Sequence, residues 1–251
     1  MADQLHVHTF GPVDAPPLLA LHGITGHGAR FRRLAETQLA EFRVIAPDLR
    51  GHGRSPKTPP WTLEQHAADL LAVLDAHEVD SAPVVGHSFG GPVALQLAQL
   101  AQQRVRRLVL LDPAVGMPPE RLLDVARGAY QHFSSREELA AYQRDAWPFA
   151  DESLIAEELA ENTSGTAYRY EPASIATACS EMCRTPPLPS PSLHTLVVEA
   201  RREDYVSPEF VKACRFALGS SFRHAGLDSG HMLYFERPDE TGELIRSFLA
   251  E

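Results

Sequence analysis

At 251 residues, with 44% apolar and 22% charged residues, the chain has the composition of a folded protein and is long enough for one large domain, which excludes a disordered or low-complexity chain. A formal net charge of −10 argues against nucleic acid and anionic membrane surfaces as partners. The start Met1-Ala2-Asp3-Gln4-Leu5 carries no export signal, no apolar run reaches bilayer length, and the three cysteines Cys179, Cys183 and Cys214 are an odd count; these features lead to the expectation of a cytoplasmic protein with no integral membrane segment and no disulfide framework.

In chain order, Leu5-His6-Val7-His8-Thr9 alternates like an edge strand, and Pro17 to Leu21 is an apolar run typical of a strand covered on both faces. His22-Gly23-Ile24-Thr25-Gly26-His27-Gly28 then permits a tight loop, followed by a helix over Phe31 to Leu39 and a strand over Arg43 to Ala46. A second Gly-rich turn spans Pro47 to Pro56, in which Asp48 suits a turn residue bonding nearby backbone N–H groups. Thr62-Leu63-Glu64-Gln65 has capping-box form and predicts a helix to about His77.

Val84-Val85-Gly86-His87-Ser88-Phe89-Gly90-Gly91 reads as strand, sharp turn and helix start with a serine at the tip. Gly86 and Gly90 leave no side chain where strand and helix must pass closely, so Ser88 can be held in a strained conformation and presented outward; this is a G-x-S-x-G nucleophile elbow. His87 beside it suits a structural role. A further strand, Arg107 to Leu111, ends at Asp112-Pro113.

From Ala114 to about Leu193 the pattern turns wholly helical, with helices predicted over about 119–133, 135–147, 152–162 and 172–184 and no strand-type run between them. Thr185-Pro186-Pro187-Leu188-Pro189-Ser190-Pro191 serves as a return linker. Strands resume at Leu193 to Glu199 and Ser221 to Ala225, and helices over Pro208 to Leu218 and Arg237 to Ala250 close the chain. The predicted fold is α/β: a mostly parallel, doubly wound sheet with core segments 1–113 and 191–251 and a helical lid at 114–190 above the sheet edge where such folds bind ligands.

A serine nucleophile needs a base to take its proton and a carboxylate to orient that base. His231 follows Gly230 after the last predicted strand, and Asp204 lies in the loop after the preceding one, about 27 residues earlier. His22-Gly23, Gly51-His52-Gly53-Arg54-Ser55, Gly86-His87-Ser88-Phe89-Gly90-Gly91, Asp204 and Gly230-His231 together resemble the α/β-hydrolase superfamily, in its branch of small lid-bearing serine esterases and lipases.

The resemblance implies Ser88 as nucleophile, His231 as base and then acid, and Asp204 as orienting carboxylate, with Asp112 as the alternative because some members draw the acid from the strand after the elbow. It implies an oxyanion hole from the backbone N–H groups of Phe89 and Ile24, and needs no cofactor or metal. Cys179 and Cys183, spaced i, i+4, lack companion ligands, and His22, His27 and His52 form no recognisable ligand set. Trp61, Met117, Tyr130, Phe133, Trp147, Phe149 and Met232 are candidates for an apolar acyl pocket.

The expected activity is hydrolysis of a small-molecule carboxylic ester, with C–C or thioester hydrolysis, a lyase step, or ligand binding with little turnover as alternatives on the same scaffold. Substrate size and oligomeric state stay open.

Overall fold

In the computed structural model, which describes residues 4–251, strands and helices alternate through both ends of the chain. Strands β1 (Val7–Phe10), β2 (Pro17–Leu21), β3 (Arg43–Pro47), β4 (Ala82–His87), β5 (Val105–Leu111), β8 (Thr195–Ala200) and β9 (Phe222–Leu227) form one seven-stranded sheet in the order β1-β3-β2-β4-β5-β8-β9. Within this sheet, among the described residues, only the β1–β3 pair is antiparallel. The parallel strands therefore end at one edge, and the loops after β2, β4, β5, β8 and β9 meet there.

Period-two alternation sends neighbouring residues of each strand into different cores. On one face Leu19, Val84, Leu108 and Val197 pack with helices α2 (Leu63–Ala76), α3 (Gly90–Leu100) and α8 (Pro208–Leu218). On the other, Leu18, Val85, Val109 and Val198 pack with α1 (Arg32–Gln38) and α10 (Pro238–Ala250). With both faces covered, the strands read as unbroken apolar runs.

The 114–193 stretch supplies four helices: α4 (Pro119–Gly128), α5 (Arg136–Ala146), α6 (Glu152–Asn162) and α7 (Pro172–Met182). Their starts are set locally. Ser135 and Asp151 accept from the N–H groups of Glu138 and Leu154, and prolines open α4 and α7, where a missing N–H costs nothing. The prediction of helices alone is corrected in one place. Thr163–Ser164 (β6) and Ala167–Tyr168 (β7) form a small antiparallel hairpin whose two-residue strands are too short to show alternation. A short helix, α9 (Leu233–Glu236), was likewise not expected.

No described helix is long and apolar enough to cross a membrane. Asn162, in a sequence of glycosylation form, is 1% exposed and serves inside the protein.

Candidate active site

The turn after β4 has the strained form that its glycines permit. Ser88 has φ 51°, a left-handed conformation that costs a non-glycine residue of order 1–3 kcal/mol. Its N–H donates to the Leu111 carbonyl (3.0 Å), and its own carbonyl accepts from Gly91 (2.9 Å) and Ala114 (3.2 Å), so β5 and α3 hold the strain in place. A Cβ on Gly86 would overlap the Gly90 carbonyl, and one on Gly90 would overlap that of Leu21. Ser88 Oγ has no hydrogen-bond partner among the described residues.

The carboxylate beside His231 is Asp112. Its Oδ2 lies 2.6 Å from His231 Nδ1, and its Oδ1 accepts from the Ala200 N–H at 3.0 Å. Asp112 is 1% exposed, has φ 42°, and donates its own N–H to the Val198 carbonyl at 2.7 Å. The turn after β5 is thus fastened to β8 and aims the carboxylate at the imidazole. Asp204 is placed elsewhere: its side chain is 81% exposed and pairs with Arg121 of the helical region. The expected pairing of His231 with Asp204 is therefore replaced by the alternative, Asp112. The loop's contribution is the next residue, Tyr205, whose ring stacks on His231 with centroids 4.1 Å apart and planes at 21°.

His87 does have a structural part. Its Nε2–H donates to the His231 carbonyl at 2.8 Å, tying the elbow to the histidine loop. Burial first, and the neighbouring His231 second, hold its pKa well below the usual histidine value, so it stays neutral. Gly230 N–H donates to Glu236 Oε2 (2.8 Å), which fixes the other side of that loop.

The loop after β2 is pinned as tightly. His22 Nδ1–H donates to Gly23 O (2.7 Å) and Nε2 accepts from Leu49 N–H (2.9 Å), an arrangement that only the neutral ring can make. Asp48 accepts from Gly28 N–H (2.7 Å) and Arg54 N–H (2.7 Å), as expected of a turn residue, and joins both Gly-rich loops. Burial alone would raise its pKa, yet bonds from His8, Arg54 and Gly28 hold it well below the carboxylate range. Asp228 pairs at the surface with Arg202. The N–H groups of Ile24 and Phe89 donate to no acceptor among the described residues, which leaves both available for a ligand.

Ser88, His231 and Ile24 line one cavity of about 830 Å³, within the range of small-molecule sites. Of the apolar-pocket candidates, Trp147, Phe149 and Met232 line it, joined by Leu122, Val125 and Met182 of the helical region. Trp61, Met117, Tyr130 and Phe133 do not.

Sequence reasoning missed the polar wall. Arg30 binds Glu158 of α6 through Nε (3.1 Å) and Nη2 (2.6 Å), and its guanidinium lies 5.0 Å from the Trp147 ring centroid. His27 Nε2 meets the same carboxylate at 2.9 Å. Partners more than a hundred residues apart leave no signal in a local pattern.

The cysteines are free, and Cys183 Sγ–H donates to Cys179 O within one helical turn. Away from the cavity, His6, His8 and Asp48 bring one ligand atom each within 4.8 Å of one another, but Asp48 is already engaged by the loops that it joins.

Residues 16–238 match the family described as alpha/beta hydrolase fold. The chain belongs to the α/β-hydrolase family. Among curated α/β-hydrolases and other proteins, it is similar to lipase LipV of Mycobacterium tuberculosis, 36% identical over 99% of both chains, and to esterase YbfF of Escherichia coli, 24% identical over 93% of this chain and 92% of that one. Among solved structures it resembles E-2-(acetamidomethylene)succinate hydrolase, with TM-score 0.85, 21% identity, and coverage of 98% of this chain and 95% of that one, a likeness of fold.

Proposed function

We propose that this α/β-hydrolase is a serine hydrolase of carboxylic esters, working through an acyl-enzyme on Ser88. The observation that carries the reading is the 2.6 Å contact between buried Asp112 and His231, a histidine that lines the same cavity as a serine held at positive φ. Lipase and esterase relatives at moderate identity support the ester as substrate class.

Each group has a role set by its placement. Asp112 holds His231 in the tautomer with the proton on Nδ1, leaving Nε2 to take the Ser88 proton as Oγ attacks the ester carbonyl. Negative charge then develops on the former carbonyl oxygen, and the N–H groups of Phe89 and Ile24 receive it. Phe89 also begins α3, whose N-terminal dipole favours the same charge. His231 returns its proton to the leaving alcohol, then activates water to release the acid. Tyr205 and His87 keep the imidazole in place through both steps.

The test is covalent trapping. A fluorophosphonate should add stoichiometrically to Ser88, located by peptide mass, and abolish turnover of p-nitrophenyl acetate, while Ser88→Ala neither labels nor turns over. Labelling at another residue, or undiminished turnover by Ser88→Ala, would contradict the reading.

A further inference from the structure

Helix α4 forms part of the cavity wall, through Leu122 and Val125, yet its polar hold on the core runs through one side chain. Among the described residues, Arg121 makes the only ion pair or side-chain hydrogen bond from α4 to the core; Asp124 and Arg127 pair with each other. The other helices of this region are fastened differently. Helix α6 meets the core through Arg30, Arg32 and Arg33, and α7 through Glu181, which accepts from the Leu63 N–H at 3.1 Å.

Arg121 reaches the loop after β8 and makes three contacts there. Its Nη1 donates to the Asp204 carbonyl at 2.9 Å, its Nη2 pairs with the Asp204 carboxylate, and its guanidinium carbon lies 5.2 Å from the centroid of the Tyr205 ring. The last distance is in the cation–π range. The carboxylate contact is open to water and contributes little. The other two act on the backbone just before Tyr205 and on the ring itself, which is half-buried and stacks on His231 with centroids 4.1 Å apart. A continuous line of contacts therefore runs from α4 through Arg121 and Tyr205 to the imidazole. Tyr205 and His231 line the same cavity as Leu122 and Val125, so the helix that walls the substrate also bears on the general base.

We propose that Arg121 is a positioning residue for His231 that acts through Tyr205, so that seating α4 over the cavity and aligning the imidazole are one event. The proposal rests on the ester-hydrolase reading and adds to it a side chain from outside the serine, histidine and aspartate.

The experiment places Arg121→Ala in three backgrounds, wild type, Tyr205→Phe and Tyr205→Ala, and measures kcat and KM for p-nitrophenyl butyrate. The second-order rate of fluorophosphonate labelling at Ser88 is measured on each, which reports the serine and histidine without ester turnover. In the wild type and in Tyr205→Phe, which keeps the ring, Arg121→Ala should lower kcat and the labelling rate about fivefold with KM little changed, the scale of a cation–π contact with a charge-assisted hydrogen bond. In Tyr205→Ala the same substitution should change neither rate, because the contact through which it acts is gone. Arg121 is partly exposed, and Tm of each variant shows that the fold is kept.

Equal losses in all three backgrounds would overturn the proposal, as would an effect confined to KM, the result expected if Arg121 only steadies the wall formed by Leu122 and Val125. Unchanged rates in Arg121→Ala would overturn it too, with the ester-hydrolase reading intact. A wild-type protein that neither labels at Ser88 nor hydrolyses the ester would overturn that reading and the proposal together.

Discussion

The histidine at the centre of this site is held on three sides, by Asp112 at Nδ1, by His87 at its carbonyl and by Tyr205 against its ring face. Stacking of this kind is worth about 0.5–1.5 kcal/mol beyond the area it buries. Tyr205→Ala should therefore lower kcat by up to about tenfold with little change in KM, while Tyr205→Phe, which keeps the ring, stays near wild type; steady-state kinetics on p-nitrophenyl butyrate checks both. Ser88 and His231 were legible in the sequence because glycines flank them and each follows a strand. The carboxylate was harder to place. β5 and β8 are neighbours, so Asp112 and Asp204 follow strands that end at the same edge, and the choice falls to turn geometry. Asp112 turns inward at φ 42° and bonds Ala200, whereas Asp204 lies four residues beyond the end of β8, out where it meets Arg121. Spacing to the histidine carries no information about that turn.

Among the elements, α6 is the one that fastens the helical region to the core. Glu158 sits beneath it at 2% exposure with Arg30, His27 and Asn162 around its carboxylate, and Arg32 and Arg33 of α1 pair with Glu161 and Glu157 nearby. The exposed pairs contribute little, but removing one partner of a buried pair strands the other's charge at a cost of about 3–5 kcal/mol. Glu158→Ala should lose stability on that scale in urea unfolding, and Arg30→Met with Glu158→Leu together should lose less than either alone. A loss in the double variant equal to the sum of the two single losses would mean that the pair does not act as a unit. The helices of this region were readable from their periodicity, as were the central sheet strands from their apolar runs and β1 from its alternation. The β6–β7 hairpin and the Arg30–Glu158 contact were not, the first because two residues make no pattern and the second because the partners lie 128 positions apart.

For the molecule as a whole, buried neutral histidines set the response to acid. His52 and His66 are each pushed down to about 3 by burial, and His22 and His87 lie well below the ordinary value for the same reason. Folded pKa values lie below the unfolded value near 6.5, so the unfolded chain binds more protons as pH falls. The stabilisation is therefore full above about pH 6.5 and is lost below it, at up to about 1.4 kcal/mol per pH unit for each such histidine. Glu158, for which burial is outweighed by Arg30 and His27, is depressed as well and adds a further loss below about pH 4.5. Tm should be level from pH 8 to 7 and fall steeply from pH 6.5 to 5; a Tm that holds through pH 5 would show that these rings gain protons without unfolding.

The central claim is that Asp112, and not Asp204, completes the site with Ser88 and His231, and the most direct measurement is kcat for p-nitrophenyl acetate in Asp112→Asn beside Asp204→Asn. The account predicts a fall of about 10³–10⁴-fold for Asp112→Asn, the scale seen when an orienting carboxylate is replaced by an amide, and a change of less than about threefold for Asp204→Asn. A dead Asp204→Asn beside an active Asp112→Asn would contradict it.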